Sequence, residues 1–183
     1  YFALFGILLA LAELVRRIPF RDHPRLKPVT VGVVIVGFAF LTVLRSATWG
    51  DPLLLAMDLV AKNPQSTRAS SDLATLYVGM SDSNPNSPFF SIGQQEFERA
   101  SRLPNASPLP EQGLILMAAT TGQPIKEEWW DRLIEKLKTR PIGTQELLVI
   151  EGFLRQRHAG IQLPEERLEQ IYTIVLIRKS QTS

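Results

Sequence analysis

The stretch from residue 28 to residue 44, which contains no charged side chain, constrains this chain more than any other feature. It reads PVTVGVVIVGFAFLTVL and lacks the polar stripe that the exposed side of a core helix carries. About 17 apolar residues make the shortest helix that crosses the hydrocarbon of a bilayer. A pair of buried core helices is the alternative, and the missing stripe argues against it. The stretch is therefore predicted to span a membrane.

A second apolar stretch, residues 1–15, precedes it and has Glu13 as its one charged residue. Tyr1 is not a start methionine, and no basic signal-peptide region comes before it, so we expect residue 1 to lie inside a longer protein. Together the two stretches predict a transmembrane helical hairpin over residues 1–45.

The loop between the two stretches predicts the orientation of this hairpin. Short loops rich in Lys and Arg stay on the cytoplasmic side of a membrane. Five cations face one carboxylate, Asp22, in this loop: Arg16, Arg17, Arg21, Arg25 and Lys27. Residues 46–183 are therefore expected outside the cytoplasm, and a bacterial inner membrane is the favoured location.

Residues 46–183 show helical periodicity, punctuated by proline and glycine. Pro124 is expected to be the first residue of its helix, because the missing N–H costs nothing there. Seven helices joined by short turns predict an all-α stack of helical hairpins. The segments are about 51–62, Ser66–Met80, Phe89–Leu103, a helix around 114–118, one from Pro124, Thr144–Arg157 and one after Pro164.

The hairpin over residues 66–104 is similar to a tetratricopeptide repeat. Leu73, Ala74 and Tyr77 match the Leu-small-x-x-Tyr core of the first helix of that repeat. The small-aromatic-small spacing of its second helix follows at Gly93, Phe97 and Ala100. Small residues allow close helix approach, while Tyr77 and Phe97 fill the space between neighbouring hairpins. The expected fold is thus a TPR-like α-hairpin solenoid, although the pattern degrades beyond residue 104.

Residues 45–77, with the sequence RSATWGDPLLLAMDLVAKNPQSTRASSDLATLY, resemble a junction in a known family of membrane proteins. The family is that of membrane-embedded O-mannosyltransferase-like proteins of the GT-C type. In these proteins the junction connects the last membrane helix to C-terminal tetratricopeptide repeats. The resemblance implies that the parent protein is a lipid-linked-sugar-dependent glycosyltransferase. In that family the catalytic acidic residues lie in an early extracytoplasmic loop, and no position of this chain matches them. The matching junction residues are Arg45, Trp49, Asp51, Asn63, Pro64, Arg68, Ala69, Leu73 and Tyr77.

The residues themselves predict no catalytic, metal or cofactor site, so enzymatic activity stays open. There is no cysteine, which excludes disulfides and thiolate metal ligands. His23 and His158 fall in different compartments under the predicted topology, and no His/Glu pair has zinc spacing. Nucleotide-binding glycine loops and a GxSxG motif are also missing. A net charge of +2, part of it in the short loop, argues against nucleic acid as a partner.

The segment EEWWD, residues 127–131, is the most informative surface candidate of the soluble part. Adjacent residues on a helix point about 100° apart, so one tryptophan can reach a groove while the other is buried. The favoured alternative is that both tryptophans anchor hairpin packing. The candidate interaction surface comprises Trp129, Trp130, Glu127, Glu128, Tyr77 and Phe97.

These observations predict a membrane-anchored, TPR-like interaction or scaffolding module on the non-cytoplasmic side. It would be the end of a larger polytopic protein or a subunit of a membrane complex. The expected partners are membrane lipid, other membrane helices or subunits, and a protein or peptide bound by the repeats. The alternative function is an acceptor-presenting C-terminal region of a membrane glycosyltransferase.

Overall fold

A computed structural model describes Ala10, Glu13 and residues 26–182 of the chain. These residues form helices and connecting turns, and none of them lies in a strand, which confirms the all-α prediction. The chain divides into two compact units, Tyr1–Gly50 and Asp51–Ser183. The helix of the first unit continues to Gly50, beyond the boundary predicted at residue 45.

The helices are numbered here from the first one whose bounds are described. They are α1 (Leu26–Gly50), α2 (Pro52–Lys62), α3 (Thr67–Met80), α4 (Pro88–Ser101), α5 (Leu109–Thr120), α6 (Glu127–Thr139), α7 (Thr144–His158) and α8 (Glu165–Thr182). Helices α2 to α8 correspond to the seven that were predicted for the soluble part.

Helix α1 is long and apolar enough to cross a membrane over its segment Pro28–Gly50, and none of that segment is buried. Its 23 residues would span about 34 Å, against a hydrocarbon thickness of about 30 Å. Pro28 lies in the first turn of this helix, where the missing N–H breaks no helical hydrogen bond.

The other predicted part of the membrane hairpin lies outside the described residues. Only Ala10 and Glu13 of the first stretch are described. Arg16, Arg17, Arg21 and Arg25 are outside, and Lys27 is described only as a backbone position of α1. The orienting role of these five cations therefore stays a prediction.

Helices α2 to α8 pack as a series of neighbouring hairpins. Helix α3 contacts α2, α4 and α5, and helix α5 contacts α3, α4, α6 and α7. Helix α8 closes the series against α6 and α7. Because α5 has neighbours on four sides, it is the centre of the core, and Leu114 and Ile115 on it are completely buried.

The residues that suggested a repeat lie where α3 and α4 meet. Ala74 and Ala100 are completely buried, and Phe97 is 4% exposed. A Cβ atom on Gly93 would lie 2.7 Å from Cγ2 of Val78 and 3.1 Å from the carbonyl oxygen of Ala74. Close approach of the two helices therefore needs a residue without a side chain at position 93.

The sequence prediction for the start of one helix is wrong. Helix α6 begins at Glu127 rather than at Pro124, because Lys126 has extended backbone angles and precedes the first helical turn. That start places Glu127 and Glu128 in the first turn, where carboxylates interact favourably with the helix dipole. In α2, Leu54 and Met57 are 50% and 45% exposed.

Candidate functional site

A cleft of about 370 Å³ crosses the first helices of three successive hairpins, α3, α5 and α7. We call it the α3–α5–α7 cleft. Its lining mixes hydroxyl, amide and charged groups with apolar side chains, as binding sites generally do. The lining residues are Ser71, Asp72, Thr75 and Val78 of α3, Phe97 of α4, Leu109, Gln112, Gly113, Leu116, Met117 and Thr120 of α5, and Arg155 and Gln156 of α7.

The shape of the cleft depends on Gly113. A Cβ atom at this position would lie 2.4 Å from two ring carbons of Phe97, closer than any real contact. The Phe97 ring therefore lies directly against the backbone of α5, and a buried aromatic side chain from α4 reaches the cleft wall. Any larger residue at position 113 would displace this ring.

A buried hydrogen bond fixes α7 against α5. Nε2 of Gln112 donates to the carbonyl oxygen of Val149 over 2.8 Å. A Cβ atom on Gly152 would lie 2.0 Å from that same nitrogen, so the amide fits only because position 152 is glycine. Since Gln112 also lines the cleft, the distance between two of its helices is determined by a specific contact.

Hydroxyl groups along the cleft are engaged as donors within their own helices. Oγ1 of Thr75 donates to the carbonyl oxygen of Ser71 over 2.8 Å, and Oγ1 of Thr120 donates to that of Leu116 over 2.9 Å. A hydroxyl that donates in this way still has lone pairs that accept hydrogen bonds. The cleft thus offers acceptors for the N–H groups of a bound chain.

Two opposite charges flank the cleft, one on α3 and one on α7. Asp72 lies 3.9 Å from Arg68, and its pKa is raised because partial burial outweighs the attraction of Arg68. Arg155 makes no ion pair with any described residue. An exposed guanidinium without a carboxylate partner suits an acidic group of a ligand.

A charged network whose members do not line the cleft holds α4, α5 and α6 together. Glu111 of α5 is completely buried, and Nζ of Lys136 donates to its Oε1 over 2.6 Å. The same ammonium donates to the carbonyl oxygens of Ser101 and Ser107 over 3.0 and 3.2 Å. Burial raises the pKa of the Glu111 carboxyl, and Lys136 opposes the rise. Burial lowers the pKa of Lys136, and Glu111 opposes that change.

The tryptophans of the EEWWD segment belong to the core rather than to a surface. Trp129 and Trp130 are 2% and 1% exposed. Nε1 of Trp129 donates to Oε1 of Glu98 over 2.7 Å, and the Trp130 ring stacks on Phe153 with centroids 5.5 Å apart. Both therefore anchor helix packing, which was the favoured alternative, and neither reaches an open groove.

The remaining residues of the predicted interaction surface do not form one surface, because each makes different contacts. Glu127 and Glu128 are exposed, and each pairs with an arginine, Arg167 and Arg132 respectively. Tyr77 is half-buried and stacks on Phe89 with centroids 6.5 Å apart. Phe97 is buried and is the one predicted surface residue that borders the cleft.

Sequence reasoning missed the polar residues of the cleft. Their signal was a four-residue spacing on the first helix of a hairpin, at Ser71 and Thr75 and again at Gln112, Leu116 and Thr120. Such spacing marks one face of a helix, but it does not tell which face the neighbouring helices leave open. Among the described residues no three His, Asp or Glu side chains form a metal-binding group.

Comparison of the chain with protein-family models, with curated proteins and with solved structures finds no match. The resemblance to O-mannosyltransferase-like proteins therefore depends on the junction residues alone and stays a hypothesis.

Proposed function

We propose that this protein is a membrane-anchored interaction module, in which α1 spans a bilayer and a TPR-like stack of helical hairpins binds an extended segment of a partner protein. The observation that carries the binding part is the α3–α5–α7 cleft. It runs across alternate helices of the stack, and stacked hairpins present such surfaces to elongated ligands.

The anchoring part is supported by how α1 satisfies its own polar groups. Oγ1 of Thr42 donates to the carbonyl oxygen of Phe38 over 2.8 Å, and Oγ1 of Thr48 donates to that of Leu44 over 3.2 Å. Hydroxyls bonded within their own helix can enter hydrocarbon without losing a partner. A core helix of a soluble protein would be mostly buried, whereas Pro28–Gly50 is not buried at all.

The cations of residues 16–27 support a proposal for the side of the membrane on which the helical stack lies. Since short basic loops stay in the cytoplasm, the stack is placed outside it, in the periplasm if the membrane is a bacterial inner membrane. The partner would then be an extracytoplasmic protein or another subunit of the same membrane complex.

The chemistry of the cleft defines the segment that it would bind. Hydroxyl acceptors on α3 and α5 suit backbone N–H groups, and the apolar wall at Phe97, Leu116 and Met117 suits one or two apolar side chains. Arg155 suits an acidic residue of the ligand. The expected ligand is thus an extended peptide with apolar residues beside a carboxylate.

The experiment is selection of a displayed random peptide library on the full chain in lipid nanodiscs. We expect the enriched peptides to combine apolar and acidic residues and to lose affinity for Thr75→Trp, which fills the cleft. Arg155→Glu should weaken peptides with acidic residues more than peptides without them. The control is Glu169→Trp, on the exposed surface of α8, which should bind normally. Enriched peptides that bind Thr75→Trp and Arg155→Glu as tightly as the unaltered chain would contradict the proposal.

A further inference from the structure

Helix α2 is apolar on nearly every side and yet buries only one residue. Its sequence, PLLLAMDLVAK, includes two charged residues, Asp58 and Lys62, and only Ala56 is buried in the fold. A helix that is apolar all round normally lies in a protein core or in lipid. Neighbouring helix α3 covers the side of α2 that carries Ala56, so the rest of its apolar surface needs another environment.

Part of the uncovered surface forms a continuous face, which we call the outer face of α2 and define as Leu54, Met57 and Ala61. The spacing of three and then four residues places these positions on one side of the helix. Leu59, which is 41% exposed, lies on another side of the helix. Leu54 is 50% exposed and Met57 is 45% exposed, and Ala61 is also exposed. Three adjacent apolar residues on an exposed side are what an interfacial helix presents to lipid.

Charge on α2 is neutralised locally. Nζ of Lys62 lies 2.5 Å from Oδ2 of Asp58, one helical turn away, beside the outer face. A paired ammonium and carboxylate can remain among lipid headgroups, because neither has to enter hydrocarbon. Because the pair leaves the helix without a net charge, electrostatic attraction to anionic lipid should contribute little to the binding of α2.

Chain connectivity brings the start of α2 to the level at which α1 ends. Asp51 alone separates Gly50 from Pro52, and two residue steps cover at most about 7 Å, whichever way the two units are oriented. The last turn of α1 carries Trp49, which is 63% exposed and lies 5.7 Å from the Arg45 guanidinium. Tryptophan is enriched at the boundary between headgroups and hydrocarbon, so this pair marks the interface.

A new helix can begin immediately at that level. Oδ1 of Asp51 accepts hydrogen bonds from the backbone N–H groups of Leu53 and Leu54 over 2.8 and 3.1 Å. Pro52 occupies the first helical position, where no N–H is needed. Helix α2 therefore starts with its own cap and does not depend on continuing the axis of α1.

We propose that α2 is an interfacial helix whose outer face lies among the headgroups and upper acyl chains of the bilayer that α1 spans. The partner of this surface is phospholipid. This inference rests on the membrane anchorage proposed above and adds a second lipid contact, which would hold the first hairpin of the stack beside the membrane.

The test is electron paramagnetic resonance of single nitroxide labels on the full chain in phosphatidylcholine vesicles. The chain has no cysteine, so each variant carries one thiol. Labels at Leu54→Cys and Met57→Cys report on the outer face. Val36→Cys, in the middle of α1, reports independently on membrane insertion. Leu148→Cys is the matched control, since Leu148 on α7 is 43% exposed, much like Met57.

We expect the labels at 54 and 57 to be accessible to oxygen, which dissolves in lipid, and to lose accessibility to a water-soluble nickel chelate. The label at 148 should remain accessible to nickel. The same pattern is expected when phosphatidylglycerol is added, because the Asp58–Lys62 pair makes α2 neutral.

Other results would overturn the inference in distinguishable ways. Nickel-accessible labels at 54 and 57 beside an oxygen-accessible label at 36 would place α2 in water while leaving the anchor intact. Labels at 54 and 57 shielded from both reagents would mean that protein, such as a second copy, covers the outer face. Nickel access at 36 would contradict the anchorage itself.

Discussion

Helices α1 and α5 both lack a polar stripe, but their side chains have opposite surroundings. Valines on α1 such as Val33 and Val36 are 67% and 68% exposed, whereas Leu114 and Ile115 on α5 are completely buried. Helix α5 has neighbours on four sides and ends after 12 residues, and α1 continues for 25. An apolar helix therefore needs either enough neighbouring helices or enough length to use lipid as its solvent.

The polar residues of the two helices show the same difference. Helix α5 contains Glu111, which can be buried because Lys136 from α6 pairs with it. Helix α1 satisfies Thr42 and Thr48 within itself. Protein surroundings provide partners from other elements, and hydrocarbon provides none. The polar groups of α1 thus fit the membrane span proposed for it.

The largest expected effect comes from removing the partner of the buried carboxylate. Lys136→Met removes the hydrogen-bonded partner of buried Glu111 and leaves the more distant Arg132, whose Nε lies 3.7 Å from Oε1 of Glu111. It should lower the free energy of unfolding by about 3–5 kcal/mol at neutral pH. Urea unfolding followed by tryptophan fluorescence measures it, since Trp129 and Trp130 are buried. Lys62→Met, which removes an exposed ion pair, is the control and should cost at most about 1 kcal/mol.

The same variant should also change its response to pH. Without Lys136, the pKa of Glu111 in the folded state rises further above its ordinary value of 4.5, because the strongest interaction that opposes the effect of burial is lost. The folded state then binds a proton more tightly than the unfolded chain does. The free energy of unfolding of Lys136→Met, relative to Lys62→Met, should therefore increase as pH falls from 7 towards 4.5. A constant difference across this range would contradict the assignment.

Truncation of a leucine should have a smaller effect on the free energy of unfolding, and this effect should differ between a leucine on α5 and one on α1. Leu114→Ala on α5 should lower the free energy of unfolding of the helical stack by about 2–5 kcal/mol, because a cavity remains in the core. Leu41→Ala on α1 removes the same atoms from a side chain that is 60% exposed, and it should leave the unfolding of the stack unchanged. Equal losses for the two variants would show that α1 packs into the same core as α5.

Substitution of one glycine on α5 and one on α1 compares how closely other side chains pack against these two helices. Gly113→Ala brings a methyl group against the Phe97 ring and should cost about 1–3 kcal/mol, with weaker peptide binding in the α3–α5–α7 cleft. Gly37→Ala on α1 meets no atom within 4 Å and should have no such effect. Thermal unfolding monitored by circular dichroism compares them, and a Gly113→Ala protein as stable as the parent would contradict the described packing.

The smallest effect concerns the residue between the two regions. Asp51→Ala removes the cap of α2 and should cost about 1 kcal/mol, confined to that helix. Hydrogen exchange should speed up at the first N–H groups of α2 and remain unchanged in α5. Asp58→Ala, in the middle of α2, serves as the control that leaves the cap intact.

Helix positions could be predicted from the sequence, because periodicity and proline or glycine punctuation are local signals. The bounds of α3 and α7 agree with prediction to within one or two residues. The predicted start of α6 was wrong because Pro124 and Glu127 both suit a helix N-terminus, and only the fold decides between them. Which side of α2 is exposed could not be predicted, because an apolar helix without a polar stripe gives no sign of which side is covered.

The candidate site was less predictable, because its features depend on distant residues. Burial of Glu111 requires Lys136, and the position of Gln112 requires Gly152 and the carbonyl of Val149. No local pattern links positions so far apart in sequence. Trp129 and Trp130 were predicted as surface candidates because aromatic side chains beside carboxylates suit ligand binding. Their burial follows only from the packing of α6 against α5 and α8.

The most direct test of lipid as the solvent of α1 is flotation of the full chain with phospholipid vesicles after extraction at alkaline pH. Such extraction releases proteins held on a membrane by surface contacts and retains those that span it. We predict that the unaltered chain floats with the vesicles and that Val36→Arg, which places a charge in the middle of Pro28–Gly50, no longer does. Release of the unaltered chain into the soluble fraction would contradict the account.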